Sequence, residues 1–205
     1  MARPKTYKRK SEIYKTVAAL FASNGYERTS IRDITRELGM STSSLYYYFK
    51  SKKELLFDLM NDGMDESLSA IEAICRSVLS PSEKMEKVLK FYTTFYASNR
   101  ERLILLMHDI DSLNRSYKEV LVQKERRHVE LLKTILIDLK NEGRLKDLHP
   151  TVAAFAFYGM IHWLFKWYDP QGPVDPDDLA DSFLEIFTRG VLSSEKSTSL
   201  TTLHR

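Results

Sequence analysis

The sequence predicts an all-α protein, and three observations lead to this fold class. Apolar residues recur at three- and four-residue spacings over most of the 205 residues, which is the period of an amphipathic helix. Alternating apolar and polar runs, which are typical of strands, are almost absent. The seven glycines and six prolines stand mostly where the periodic segments stop. We therefore expect about nine helices.

Three short helices are predicted in the first 53 residues. The second has Ser30 as its N-cap, and Asp33 three residues later completes a capping-box arrangement. A glycine follows each of the first two helices, where a residue in the left-handed conformation ends a helix at low cost. The predicted helices cover residues 11–23, 31–38 and 42–49.

Six further helices are predicted in the rest of the chain. Proline stands in the first turn of two of them, as Pro150 and as Pro176 after the cap Asp175. The composition of residues 169–174 (DPQGPV) predicts a turn. Residues 194–205, rich in Ser and Thr, are predicted to form a flexible tail. The predicted helices cover residues 52–79, 82–97, 100–110, 116–142, 150–168 and 176–192.

The charge of the chain changes sign at about residue 53. Residues 1–53 hold 12 Lys and Arg against 4 Asp and Glu, a net charge of +8, whereas residues 54–205 have a net charge of −5. A basic module on a mildly acidic body suits binding to a phosphate backbone. A basic solvated face on an ordinary helical protein gives the same balance. We predict two domains, at residues 1–53 and 54–193.

The most informative motif lies in residues 29–55 (TSIRDITRELGMSTSSLYYYFKSKKEL). Two short helices separated by a glycine-containing turn are the signature of a helix-turn-helix. Only Leu45 and Phe49 form a buried stripe on the second of these helices, which begins with small polar residues and carries three tyrosines. Such hydroxyl groups suit a recognition helix, which contacts the base edges and phosphates of double-stranded DNA.

The same stretch resembles the TetR family of bacterial and archaeal transcriptional regulators. The family pattern is a first helix ending in Phe, a G-Y/F-x-x-T-S/T turn, and the segment I-x-x-I-A-x-x-x-G-V-S-x-G-x-L-Y-x-Y-F-x-S-K-E-x-L. Thr35, Met40, Ser43 and Tyr47 depart from it, and the last two lie on the DNA-facing side, where they affect the operator sequence rather than the fold. The positions that match are Phe21, Gly25, Tyr26, Thr29, Ser30, Ile31, Ile34, Gly39, Ser41, Leu45, Tyr46, Tyr48, Phe49, Ser51, Lys52 and Leu55.

The resemblance implies DNA-binding roles for nine residues and a basic arm. Phosphate contacts are expected from Thr29, Ser44, Tyr46, Tyr48 and Lys52. Approach to the bases is expected from Arg32, Thr42, Ser43 and Tyr47. Backbone or minor-groove contacts are expected from Arg3, Lys5, Lys8, Arg9 and Lys10. A packed aromatic core is the alternative for the tyrosines, and a solvated helix charge is the alternative for Arg32.

For the second domain the resemblance implies a homodimer formed through the last two helices. Each of these helices carries an apolar face with a glycine, and glycine lets helices approach closely. An internal helix pair within one subunit is the alternative. The two faces consist of Val152, Phe155, Tyr158, Gly159 and His162, and of Leu179, Phe183, Ile186, Phe187 and Gly190.

Aromatic residues are dense on two helices of the second domain and predict a pocket for a small hydrophobic effector. Residues 159–168 resemble TetR-type regulators of fatty-acid and steroid breakdown, which respond to acyl-coenzyme A thioesters. A basic cluster on the long helix would meet the phosphates of such a thioester, and a solvated face is the alternative. The predicted ligand-binding residues are Phe91, Phe95, Met107, Arg126, Arg127, Tyr158, His162 and Trp163.

Other classes of function find little support in the sequence. Catalytic, cofactor and metal-ligand motifs are missing, so neither an enzyme nor a bound metal or cofactor is predicted. The single cysteine, Cys75, indicates a reducing, cytoplasmic compartment, and no apolar stretch approaches the roughly 20 residues of a membrane span. The expected function is a repressor of lipid-metabolism genes that a long-chain acyl-coenzyme A releases from its operator. A repressor of efflux genes and a helical lipid-binding protein or enzyme are the alternatives.

Overall fold

The structure is a computed structural model that describes residues 5–193. Within this range the prediction of an all-α fold is confirmed, because the one β-type pairing there is a single bridge between Leu145 and Leu192. Outside the described part lie Arg3, the side chains of Lys5 and Lys8, and the predicted tail over 194–205.

Ten α-helices and one 3-10 turn make up the described residues. The 3-10 turn, Ile110–Ser112, connects the sixth and seventh helices. The predicted helix over 150–168 is divided at the exposed Trp163, after which Leu164 turns into the core. The helices are α1 Lys5–Asn24, α2 Ile31–Glu37, α3 Thr42–Tyr48, α4 Lys52–Arg76, α5 Pro81–Ser98, α6 Arg100–His108, α7 Arg115–Asn141, α8 Pro150–His162, α9 Leu164–Trp167 and α10 Pro176–Val191.

Two helix ends differ from the predicted boundaries for local reasons. Helix α1 begins six residues earlier than predicted, in a basic stretch of good helix formers where Arg9 pairs with Glu12 at 2.9 Å. Helix α4 ends three residues early, because Ser77 adopts an extended backbone and its hydroxyl donates to the Ile74 carbonyl at 2.6 Å. Neither difference moves a residue of the helix-turn-helix.

The caps of the short helices follow the sequence prediction. The Ser30 hydroxyl accepts from the Asp33 N–H at 3.2 Å, and the Asp33 carboxylate accepts from the Ser30 N–H at 3.0 Å. Gly25 and Gly39 have φ of 84° and 58°, and both follow a helix end. These local contacts fix where α2 begins and ends, and therefore where the turn before α3 lies.

The first hydrophobic core extends well beyond the three N-terminal helices. Its buried residues include Ile13 and Phe21 of α1 and Leu45 of α3. Helix α4 contributes Leu55, Leu56, Leu59, Met60 and Met64, and α6 contributes Leu105 and Leu106. The DNA-binding helices are therefore packed on two helices that continue into the second domain.

The second core lies between α4, α5, α7, α8 and α10, and α10 packs mainly against α5. Phe183 and Phe187 of α10, predicted to face a second subunit, are buried in this core, and Phe187 packs against Phe157 with ring centroids 5.4 Å apart. The prediction that these two residues face a second subunit was wrong, because both pack into the core of their own subunit. Ile186, the residue before Phe187, is exposed.

Candidate functional site

The first turn of α3 presents an exposed polar edge. Ser41 caps the helix, and its hydroxyl accepts from the Ser44 N–H at 3.1 Å. The same hydroxyl lies 2.9 Å from that of Ser43 and 2.8 Å from that of Ser44. Thr42, Ser43 and Ser44 are all exposed. These three predicted DNA contacts therefore lie together at one helix end, where small side chains allow close approach to a groove.

The tyrosines of α3 differ in exposure as the helix turns. Tyr46 is 48% exposed and Tyr47 is 81% exposed, while Tyr48 is half-buried and its ring lies 6.3 Å from that of the buried Phe49. The Tyr47 ring packs edge-on against Tyr48 with centroids 5.2 Å apart. The alternative of a packed aromatic core thus does not hold for Tyr46 or Tyr47. Tyr48 instead supports an outward-pointing Tyr47.

Three basic residues of the helix-turn-helix region are exposed as well. Arg32 on α2 is exposed and forms no ion pair with any described residue, so its guanidinium remains available to a ligand. Lys50 and Lys53, which follow α3, are exposed in the same way and were not among the predicted contacts. The sequence indicated them only through the net positive charge of the first 53 residues, which does not identify individual lysines.

Two predicted phosphate contacts have partners inside the protein. Thr29 is only 2% exposed, and its hydroxyl donates to the Gly25 carbonyl at 2.9 Å, so the predicted phosphate contact is not available in this structure. The Lys52 ammonium donates to the carbonyls of Tyr26 at 2.9 Å and Thr29 at 3.1 Å, and lies 4.2 Å from the Tyr26 ring centroid. Both residues therefore stabilise the turn between α1 and α2.

A cavity of about 410 Å³ lies in the second domain, and its lining residues come from the five helices α4 to α8. Its volume is in the range of small-molecule sites. Three of the predicted ligand residues line it, Met107, Tyr158 and His162. The full lining consists of Met64, Tyr96, Leu106, Met107, Glu125, His128, Val129, Phe155, Tyr158, Gly159 and His162.

The other five predicted ligand residues do not line this cavity. Phe91 and Phe95 stack on each other with centroids 5.4 Å apart on another side of α5, while Tyr96 of the same helix faces the cavity. Trp163 is exposed at the end of α8. The Arg127 guanidinium pairs with Glu72 of α4 at 3.1 Å, on a side of α7 away from the cavity. Arg126 is the fifth.

Arg126 lies in a groove next to the cavity. The groove has a volume of about 350 Å³ and shares Glu125, Val129 and Phe155 with the cavity lining. Arg126 is exposed there and pairs with no acidic group among the described residues. Glu130 also lines the groove, but its carboxylate pairs with Lys133 at 2.6 Å. The cavity therefore adjoins a surface that offers one uncompensated cation.

A chain of hydrogen bonds crosses the core behind the cavity. The Tyr158 hydroxyl donates to the Tyr92 hydroxyl at 3.0 Å, which in turn lies against Nδ1 of the buried His128. Nε2 of His128 is 3.3 Å from the hydroxyl of Ser67, which donates to the Met64 carbonyl at 3.1 Å. Burial lowers the pKa of His128 to about 4. The ring is therefore neutral at pH 7, with Nε2 as donor and Nδ1 as acceptor.

An exposed apolar face runs along α8 and α10. Val152, Phe155 and Ile186 are 63%, 59% and 62% exposed. Apart from adjacent residues and the backbone of the same helix, no described atom lies within 4 Å of a Cβ placed at Gly159 or Gly190, so both glycines leave open space on this face. Large exposed apolar side chains beside open glycines are typical of a helix-packing interface.

Two segments of the chain match the profiles of a known family. Residues 13–59 match the profile of bacterial regulatory proteins of the tetR family, and residues 78–191 match that of the tetracyclin repressor-like C-terminal domain. The chain belongs to the TetR family of transcriptional regulators. Regulators of this family bind DNA operators and dimerise.

Several known proteins resemble this TetR-family chain over most of its length. The transcriptional repressor KstR2 of Mycolicibacterium smegmatis is 26% identical over 192 residues, which are 91% of this chain and 92% of the relative. The fatty acid metabolism regulator protein of Bacillus subtilis is 21% identical over 182 residues, 88% and 94% of the two chains. The crystal structure of AibR in complex with isovaleryl coenzyme A and operator DNA superposes with a TM-score of 0.77 at 26% identity, covering 87% and 97%.

Other kinds of site are not found in the described part of this TetR-family chain. Residues 5–193 contain no group of three or more His, Cys, Asp or Glu side chains placed to hold a metal ion. Among the helices described there, none is both long and apolar enough to cross a bilayer.

Changing Lys52 to Met should lower the Tm by a few degrees and weaken binding to all operator sequences alike. Hydrogen bonds to a charged group contribute about 1.5–3 kcal/mol, and partial exposure of the ammonium reduces this to about 1–2 kcal/mol. Binding falls uniformly because the change displaces the start of α4 rather than a base contact.

Lys53→Met is the matched control, since Lys53 is exposed and unpaired among the described residues, and the Tm of this variant should stay at the wild-type value. Equal Tm values for the two variants would contradict a role of Lys52 in the turn. Circular dichroism and fluorescence anisotropy supply the measurements.

Changing Tyr47 to Ala should alter which base pair is preferred at one or two operator positions. A base-edge contact discriminates by about 1–3 kcal/mol, and the outward-pointing Tyr47 ring is placed to make one. Tyr46→Ala serves as the control, because the loss of a phosphate contact should weaken binding to all operator sequences to a similar degree. Binding of both variants to a library of single-base operator changes distinguishes the two roles. An unchanged base preference in Tyr47→Ala would remove this residue from the readout.

Proposed function

We propose that this TetR-family protein is a homodimeric repressor that leaves its operator when an acyl-coenzyme A thioester binds in the cavity. The observation that carries the proposal is a largely apolar cavity that adjoins a groove with an unpaired cation, Arg126. The acyl chain would occupy the cavity, and the phosphates of coenzyme A would lie along the groove. The regulated genes would then belong to lipid metabolism.

The chemistry of the lining supports a ligand with an apolar part and an anionic part. Leu106, Met107 and Val129 offer apolar surface to a chain, and each buried methylene contributes up to about 0.8 kcal/mol. Arg126 offers charge-assisted hydrogen bonds to a phosphate. Two carboxylates line the groove, but Lys133 pairs with Glu130 at 2.6 Å, and Glu125 lies where the groove meets the cavity.

The related proteins are consistent with this ligand class. AibR binds isovaleryl coenzyme A and operator DNA in one crystal, and the Bacillus subtilis relative is a regulator of fatty acid metabolism. A repressor of efflux genes that senses a neutral hydrophobic compound is the second candidate. The unpaired Arg126 at the groove favours the anionic ligand, since a neutral compound gains nothing from it.

A ligand in the cavity would contact helices that hold the DNA-binding domain. Leu106 and Met107 of α6 line the cavity, and α6 packs against α1. The Arg100 guanidinium at the start of α6 donates to the Phe165 carbonyl at 2.8 Å, so α6 is also bound to α9, the short helix that follows α8. The ligand releases DNA only if it binds the conformation with the wrong spacing of recognition helices more tightly.

Titration of the protein–operator complex with thioesters of increasing chain length tests the proposal. The concentration needed for release should fall with each added methylene until the cavity is full, and free fatty acids should act more weakly than their thioesters. Arg126→Ala should bring the thioester closer to the free acid. Arg127→Ala is the matched neighbour, since Arg127 pairs with Glu72, and it should keep the difference. If no thioester changes operator affinity at micromolar concentration, the ligand class is wrong.

Changing Ile186 to Asp should give a monomer that no longer binds the operator. A charge at the centre of an apolar interface loses its hydration without gaining a partner, which costs several kcal/mol per subunit pair. Val78→Asp is the control, because Val78 is a fully exposed apolar residue in the connection between α4 and α5 and belongs to neither α8 nor α10. Analytical ultracentrifugation gives the oligomeric state of both. A dimeric Ile186→Asp protein would place the interface on another face.

A further inference from the structure

Three polar side chains in the cavity have no hydrogen-bond partner in the described part of the chain. They are the hydroxyl of Tyr96, the carboxylate of Glu125 and the imidazole of His162. Each of these residues lines the cavity. The chain of hydrogen bonds that ends at Tyr158 differs from them, because every member of that chain is already bound to a neighbour.

These three groups line the same cavity, where Tyr96 is buried and Glu125 and His162 are half-buried. The rings of Tyr96 and His162 are edge-on, with centroids 6.2 Å apart. Tyr96 and Glu125 both line the cavity, and burial, followed by the negative charge of Glu125, raises the pKa of Tyr96. Burial also lowers the pKa of His162 and raises the pKa of Glu125. Because all three respond to desolvation, a polar group placed among them interacts in a low local dielectric.

The hydrogen-bonding capacities of the three groups define what a ligand must supply. The Tyr96 hydroxyl offers a donor, the Glu125 carboxylate offers acceptors, and neutral His162 offers one of each. A hydroxyl accepts from Tyr96 and donates to Glu125 at the same time. A ketone only accepts, and a methylene does neither. A saturated chain would remove water from these groups without replacing its hydrogen bonds, which lowers affinity.

We propose that the effector carries a hydroxyl group on its acyl chain, held between Tyr96 and Glu125 with His162 beside it. This inference rests on the proposed function, since it specifies the acyl part of the thioester. The rest of the lining is predominantly apolar, so a single hydroxyl on a hydrocarbon chain or ring matches it better than a ligand with several polar groups.

Calorimetric titration of the full-length protein tests the inference with three sets of coenzyme A thioesters. These are saturated acyl groups of eight to twelve carbons, the same chains with a hydroxyl at the third, a middle or the terminal carbon, and the matching oxo compounds. At least one hydroxylated thioester should bind about tenfold more tightly than both its saturated and its oxo counterpart, which is the effect of one well-placed hydrogen bond to a charged group.

Two variants locate the effect in the cavity. Tyr96→Phe removes the donor and Glu125→Met removes the acceptors at similar side-chain length, so each should reduce the affinity ratio between hydroxylated and saturated thioesters towards one. Tyr117→Phe is the matched control, because the Tyr117 ring stacks on Phe57 outside the cavity and its loss of a hydroxyl should keep the ratio. Operator affinity without thioester shows that each variant is folded.

The outcomes separate this inference from the proposed function. If saturated thioesters bind as tightly as every hydroxylated one, the hydroxyl site is refuted and the acyl-coenzyme A proposal stands. The same conclusion follows if a hydroxyl preference persists in both Tyr96→Phe and Glu125→Met. If no thioester of any set binds, both are overturned.

Discussion

Helix α4 is packed into both hydrophobic cores, and the relation between the DNA-binding face and the cavity depends on its continuity. Its 25 residues span about 37 Å at the normal rise of a helix. Leu55 and Leu59 lie in the first core, Met64 lines the cavity, and Ile71 lies in the second core. A continuous helix transmits a displacement at one end as a rotation of the whole. Lys52 joins its first turn to the connection between α1 and α2, so such a rotation would reach the segment that leads into the helix-turn-helix.

Polar contacts hold α4 against the other helices of the cavity wall. Arg102 of α6 donates to Asp62 at 3.3 Å, and Lys124 of α7 binds Asn61 at 2.5 Å and pairs with Asp65. Arg102 packs closely on Gly63, since a Cβ there would lie 3.1 Å from the Arg102 guanidinium. The cavity lies between three helices that are joined in this way. Arg102, Asp62 and Lys124 are mostly buried, with side chains 17%, 26% and 19% exposed, so a ligand that separates these helices has to break ion pairs that are partly shielded from water.

Features that depend on neighbours in sequence could be predicted from the sequence, and features that depend on helix rotation could not. The Ser30 and Asp33 capping box, the glycine ends and the buried pair Leu45 and Phe49 follow from spacing alone. The choice of Phe91 and Phe95 over Tyr96 for the cavity missed the correct face of α5, because adjacent helical positions differ by about 100°. The same angle explains why Phe187 is buried in its own subunit while its neighbour Ile186 is exposed. The role of Lys52 requires contacts over more than twenty residues, which no local pattern contains.

Helix α8 links the two events that the proposed function requires. Phe155 and Gly159 line the cavity, and both lie on the exposed face that we assign to the second subunit. An acyl chain that fills the cavity would therefore contact α8, the helix that we assign to the subunit interface. The wall is thin at this point, because Gly159 has no side chain to separate the cavity from the partner. Small shifts of α8 would then change both the packing of α6 on α1 within one subunit and the separation of the two α3 helices between subunits. A dimer responds to ligand through both routes at once, and packed interfaces of this kind favour two discrete arrangements over a continuous range.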